Sequence, residues 1–216
     1  DFRGDLTPYD EGLAQLPELA AEAAELGVLR TATWIMPASD ELSYEENFAF
    51  HVERLKPAAA ILAAHGIRFG LEYVGPKTLW ASKKHAFAHT MEQMLELCAA
   101  IGKNMGLLLD SWHWYTSRET ADDLRGLRAE QIVDVHVNDA PAGVGIDEQV
   151  DNVRDLPGAT GVIDIGTFLG VLQELGYDGP VMVEPFSERV RAMADEEAVA
   201  VTADALAAVW REAGLA

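Results

Sequence analysis

The stretch "GLLLDSWHWY", residues 106–115, decides the fold. A run of apolar residues ends abruptly on Asp110, and His113 follows between Trp112 and Trp114. Short continuous apolar runs bounded by turn signals read as strands buried on both faces, as in a parallel sheet. Why a buried strand should finish on a carboxylate and an imidazole is answered only by the rest of the chain.

Working outward, strands and helices alternate on both sides of this run, the signature of a parallel sheet with helical crossovers. Upstream, Leu13, Leu16, Leu19, Ala20, Ala23, Ala24 and Leu26 repeat at helical spacing, which predicts a helix over 8–27 stopped by Gly27. "VLRTATWIMP" (28–37) reads as a strand. Ser43 and Glu46 form a capping-box pattern for a helix over 44–65, ended by Gly66. "IRFGLEYV" (67–74) is the next strand, and an Ala-, Met- and Leu-rich helix is expected over 85–102. Downstream, a weaker helical segment covers 118–129 and "IVDVHVND" (132–139) is a strand with a polar end. A Gly-, Pro- and Asp-containing loop spans 140–162. Asp164 caps a helix over 165–176, "PVMVEPF" (180–186) is the last strand, and a final helix covers 188–213. No hinge linker or low-complexity segment divides the chain, so 1–216 reads as a single domain.

Composition narrows the function. The 216 residues are 49% apolar by type, and mean hydropathy is +0.01, which suits a globular chain with a sizeable core. Net charge is −20, from 36 acids against 16 bases, and no Lys/Arg cluster offers a footprint for nucleic acid. No membrane span or leader is legible, and the single Cys98 cannot form an internal disulfide, so a cytoplasmic protein is expected. Neither a GxGxxG nor a GxxxxGK[ST] turn is present, which sets aside a doubly wound nucleotide-binding domain.

Four strands share a feature. Glu72 in "GLEYVGP", Asp110 in "LLLDSWH", His136 in "DVHVND" and Glu184 in "MVEPF" each stand near a C-terminal strand end. Parallel sheets place their ligand sites at that end, and a curved sheet brings such residues to one point. Singly, a strand-end carboxylate is commonly a cap or a solvated loop residue, and a lone His is commonly structural. Repetition at equivalent positions is what points to a shared metal site. Three carboxylates and one imidazole suit Mn²⁺, Mg²⁺ or Co²⁺, with Zn²⁺ within range.

At these residues the chain resembles the xylose-isomerase-like superfamily of TIM barrels. Within it, it is similar to the sugar-phosphate isomerase/epimerase group of ketose 3-epimerases, hydroxypyruvate isomerases and inosose dehydratases. "GYDGPVMVEPF" (176–186) is the most family-like stretch, and the likeness covers essentially the whole chain. The resemblance implies an α/β TIM (β/α)8 barrel and one divalent metal ion held by Glu72, Asp110, His136 and Glu184. It implies proton abstraction next to a carbonyl through a metal-stabilised enediolate, with Glu72 and Glu184 as the catalytic acid–base pair. It assigns substrate contacts to His113, which follows the Asp by three residues, and to Arg154 in "RDLPG". Trp112 and Lys77 are added as candidate wall and anion contacts. The substrate would be a small sugar or sugar phosphate, with a homo-oligomer compatible.

Other readings stand beside these. Arg154 lies among Asp147, Glu148, Asp151 and Asp155, where a surface ion pair is equally natural. Trp112 and Trp114 also suit helix packing, and Cys98 suits a core. His65 reads as a helix C-cap, and His51, His85 and His89 as helical surface or packing residues. Matched to the barrel, the five strands are the fourth to the eighth. That makes the chain five βα units lacking three N-terminal strands, on the order of 50–60 residues. Rival functions are a dehydratase of the inosose type on the same site, a non-catalytic or inactive fragment that binds metal or sugar, and an apurinic-site endonuclease. The last is disfavoured by the acidic charge and the shortage of strand-end histidines.

Overall fold

In the computed structural model, residues 1–215 are described. The first half of the chain runs α1 (Leu6–Glu25), β1 (Arg30–Trp34), β2 (Ala38–Ser39), α2 (Tyr44–Ala64), β3 (Arg68–Glu72), α3 (Lys77–Trp80), β4 (His85–Ala86) and α4 (Met91–Ile101). The second half runs β5 (Met105–Asp110), α5 (Ser111–Thr116), α6 (Ala121–Arg125), β6 (Ile132–Val137), α7 (Ile165–Glu174), β7 (Val181–Val183), α8 (Glu188–Arg191) and α9 (Asp195–Glu212).

Five strands form one sheet in the order β1-β3-β5-β6-β7, every pair parallel, so each of the five expected strands neighbours the next. All six residues of β5 are buried, as its unbroken apolar run predicts. Two features curve the sheet. A register shift interrupts the β5–β6 ladder between Leu107 and Leu108. Arg30 Nη1 donates to the Val133 carbonyl at 2.9 Å, so a β1 side chain reaches β6 across two intervening strands. Glycine permits the close approach inside the curve: a Cβ at Gly106 would lie 2.6 Å from the Gln131 carbonyl oxygen.

Helices pack against the sheet through regular stripes. In α4, Met91, Met94, Leu97, Cys98 and Ile101 face inward at spacings of three and four. Cys98 is a core residue, as read. Ser43 and Glu46 close the expected capping box, and Asp164 accepts from the Thr167 N–H to start α7. Gly27, Gly66 and Gly176 follow α1, α2 and α7 with φ of 76°, 71° and 75°. No described helix is long and apolar enough to cross a membrane.

The structure corrects several boundaries. The helix expected over 85–102 starts at Met91, where Thr90 caps it, because His85–Ala86 pair antiparallel with Ala38–Ser39. His85 and His89 are therefore outside helices, and the His89 ring stacks on Trp80. Segment 118–129 holds only the short α6, capped by Thr120. A helix not foreseen, α5, follows β5 at once, because the Asp110 side chain accepts from the Trp112 N–H at 2.8 Å and caps it. The last helix is broken between Arg191 and Asp195 into α8 and α9.

Candidate metal centre

Glu72 and Asp110 are the last residues of β3 and β5, His136 is the last but one of β6, and Glu184 directly follows β7. Parallel pairing sets these ends at one level: Asp110 stands opposite His136, and Val137 opposite Val183. The curve of the sheet does the rest. One ligand-competent atom from each of the four residues lies within 4.8 Å of all the others. His136 Nδ1 is 3.4 Å from Glu184 Oε2 and 4.0 Å from Glu72 Oε1.

Two side-chain atoms of these residues, Glu72 Oε1 and His136 Nδ1, are buried and have no hydrogen-bond partner. Orphaned buried polar atoms are costly, and a cation among them would remove the cost. The donor set and the spacing therefore fit a divalent ion.

The electrostatics agree. Burial, reinforced by the Asp110 charge and opposed by Arg154, holds the Glu72 carboxyl well above its ordinary pKa. Burial works against a charged His136, but the Glu184 carboxylate 3.4 Å away, with the charge of Asp110, outweighs it and raises its pKa. At Glu184, burial is outweighed by His136 and Arg154, and the carboxyl is lowered.

Arg154 is not a surface residue. It is 4% exposed, in the loop after β6, and its Nη1 donates to Asp110 at 2.7 Å and to Glu184 at 3.0 Å. Its Nη2 pairs with Asp151 at 2.9 Å, and the guanidinium lies over the Trp112 and Phe186 rings. The surface-pair alternative is thus overturned: the acidic neighbour it uses, Asp151, lies inward with it. A buried carboxylate in the same loop, Asp139, holds the loop's shape by accepting from the backbone N–H groups of Thr160, Gly161 and Ile163.

His113 is 1% exposed on α5. Its Nδ1 accepts from the Gly75 N–H at 3.1 Å, which leaves the proton of the neutral ring on Nε2. Burial, with Arg154 close by, pushes its pKa down to about 3, so the ring is neutral near pH 7. Nε2 stands 3.4 Å from Arg154 Nη2, 3.6 Å from Glu72 Oε1 and 3.9 Å from Asp151 Oδ1.

A cavity of about 380 Å³ opens at this end of the sheet. Glu72, His113, Asp151, Arg154 and Glu184 form its polar wall, and Trp34, Met36, Leu79 and Phe186 its apolar wall. Trp112 and Lys77 are not in that lining. Trp112 is fully buried beneath Arg154, and Lys77 is half-exposed on α3, paired with Asp147 at 3.2 Å. The structure thus brings neither of them into the wall of this cavity.

Asn138 was missed in the sequence. It is fully buried, its Nδ2 is 3.1 Å from both Asp110 carboxylate oxygens, and its Oδ1 accepts from the Glu184 N–H at 3.0 Å. The available signal was its place two residues after His136, since alternate strand residues share a face.

A family model described as a xylose isomerase-like TIM barrel matches residues 5–210. The chain belongs to the xylose isomerase-like TIM barrel family. Its five-stranded sheet is accordingly part of a (β/α) barrel wall. A xylose isomerase domain protein from Alicyclobacillus acidocaldarius is 30% identical with a TM-score of 0.88, over 99% of this chain and 75% of that one. The IOLI protein, solved with a bound zinc atom, is 24% identical with a TM-score of 0.78, over 95% of this chain and 71% of that one. Among curated relatives, the inosose isomerase of Halalkalibacterium halodurans is 29% identical over 93% of this chain and 68% of its own length. The 3-dehydroshikimate dehydratase of Pseudomonas aeruginosa is 30% identical over 67% of this chain and 22% of its own length. This family member thus spans about two thirds of the isomerase it resembles.

Proposed function

We propose that the chain forms the metal-binding side of an isomerase acting on a sugar or cyclic polyhydroxy ketone, with Glu72, Asp110, His136 and Glu184 holding one divalent cation. The observation that carries this reading is the convergence of four donor atoms within 4.8 Å, on residues that carry two buried, unpartnered side-chain atoms. Its relationship to inosose isomerase supports the reaction class. Mn²⁺, Mg²⁺ and Co²⁺ suit an oxygen-rich set, and Zn²⁺ lies within its range.

When bound, the ion supplies Lewis-acid polarisation of the substrate carbonyl. The protein's own residues do the rest. One of Glu72 and Glu184 takes the proton from the carbon next to the carbonyl, and the other returns a proton at the reacting carbons. Asp110 is held in place by Asn138 and Arg154. The His113 ring, its Nδ1 occupied by the Gly75 N–H, donates Nε2–H to a substrate oxygen. Arg154 sets the Glu184 carboxylate beside the reacting atoms. Leu79, Met36 and Phe186 shield one side from water.

A lyase is the second reading, favoured by the dehydratase relative. The same proton is removed, and a neighbouring hydroxyl leaves as water in place of proton return. Product analysis separates the two.

The test begins with metal-free protein. Mn²⁺ should raise the Tm of the wild type and not of Asp110→Asn, because a ligand specific to the native state stabilises it. The loaded protein should then exchange solvent deuterium into an inosose or a ketose. A cooperatively folded wild type that ignores Mn²⁺ sinks the proposal.

A further inference from the structure

Asp151 lies in the loop between β6 and α7, and its carboxylate reaches the cavity wall with its side chain 23% exposed. Oδ1 accepts from Arg154 Nη2 at 2.9 Å and stands 3.9 Å from His113 Nε2. Oδ2 receives no hydrogen bond from the described residues. The wall therefore presents a free carboxylate acceptor beside the His113 N–H donor. A donor and an acceptor side by side on one wall suit two neighbouring oxygens of a polyol, one accepting and one donating.

The charges around this wall matter equally. The cavity lining contains three carboxylates, Glu72, Asp151 and Glu184, and one cation, Arg154. Of the five guanidinium N–H groups of Arg154, four are taken within the chain, by Asp110, Glu184, the Asp151 carboxylate and the Asp151 backbone carbonyl. The nearby Lys77 and Arg118 both pair with Asp147, outside the lining. Among the described lining residues, a phosphate or carboxylate would meet Asp151 and find one cation, Arg154, whose remaining Nη2–H faces His113 Nε2 at 3.4 Å.

We propose that Asp151 is a specificity-determining residue, accepting a substrate hydroxyl proton beside His113 and restricting the site to uncharged polyhydroxy ketones. This rests on the isomerase reading and adds its substrate class. A carboxylate that accepts a hydroxyl rewards neutral polyols and repels anions, which is discrimination by an attractive and a repulsive element together.

The experiment is calorimetric titration of Mn²⁺-loaded wild type and Asp151→Asn with an inosose, D-fructose and D-fructose 6-phosphate. Asp151→Ser serves as a second variant, and Mn²⁺-induced Tm shifts are recorded first. Wild type should bind at least one neutral probe and bind the phosphate ester at least tenfold more weakly. Asp151→Asn should weaken the neutral probe by about 10- to 100-fold, the loss of one hydrogen bond to a charged group, and narrow or reverse the selectivity. Wild type that responds to Mn²⁺ yet prefers the phosphate ester overturns the proposal alone. So do variants whose selectivity matches wild type. Wild type without any Mn²⁺ response overturns the reading of the centre itself. The wild-type selectivity is decisive even where a variant fails to fold.

Discussion

Asn138→Ala is the sharpest probe of how the centre is held. The amide Nδ2 sits 3.1 Å from both Asp110 oxygens, and Oδ1 takes the Glu184 N–H at 3.0 Å. One side chain after β6 thus orients two candidate ligands from the strands on either side of it. Both carboxylate contacts come from one nitrogen and count as a single charge-assisted interaction, worth about 1.5–3 kcal/mol. The Glu184 N–H is left without its acceptor, which costs about 1–3 kcal/mol more in a buried position. Asn138 is fully buried, so water does not replace it without rearrangement. The sum is about 2.5–6 kcal/mol, a fall in Tm on the order of 5–24 °C for a chain of this size. Groups that orient metal ligands typically govern affinity by about 10- to 100-fold. Thermal unfolding of the metal-free protein reads the first quantity, and titration with Mn²⁺ reads the second. A variant that loses the stability but binds Mn²⁺ within twofold of wild type would refute the reasoning, because Asn138 would then be a core amide and nothing more.

Two further outcomes follow from the charges. His113 is held neutral in the native state with a pKa of about 3, against 6.5 for an unperturbed histidine. The unfolded chain then binds a proton that the native one refuses, so this residue's contribution is intact above pH 6.5 and is lost as pH falls toward 3. Asp/Glu-independent loss in that window should shrink in His113→Gln, and an imidazolium NMR signal for His113 at pH 5.5 would contradict the assignment. Glu72 has the opposite sign: its native carboxyl binds a proton more tightly than the unfolded chain does. Its contribution favours the native state at low pH and is lost as pH rises through the raised pKa. Metal-free Glu72→Gln should therefore gain Tm relative to wild type at pH 8 more than at pH 5, while losing the response to Mn²⁺. Equal differences at the two pH values would remove the claim of a strained carboxyl.

What the sequence made legible is whatever is periodic or local. The unbroken apolar run ending at Asp110 is buried throughout, because a strand covered on both faces needs no alternation. The repeated carboxylate or imidazole at successive strand ends converges, because parallel pairing aligns those ends and curvature closes the distance. The box at Ser43 and the cap at Asp164 need only three or four residues of chain and were readable for that reason. The misses share the opposite character. Asp110 reads as a candidate ligand, yet its second use as the cap of α5 appears only once the backbone of Ser111–Thr116 turns back on it. Arg154 sits among acids in the sequence, and nothing local says that the loop will carry it inward to Asp110, 44 residues away. Asn138 acquires meaning from Asp110 and Glu184, and Asp151 from a loop that carries it to His113, all distant in the chain. Trp112 stands directly before the cavity-lining His113 on α5, and on a helix adjacent residues face different ways, here beneath the guanidinium instead of into the cavity. Ligand sets on parallel strands are thus written in the period of the fold, whereas the side chains that orient them are written in tertiary contacts. Perturbing Asn138 or Asp151 consequently tests the structure in a way that perturbing Asp110 does not.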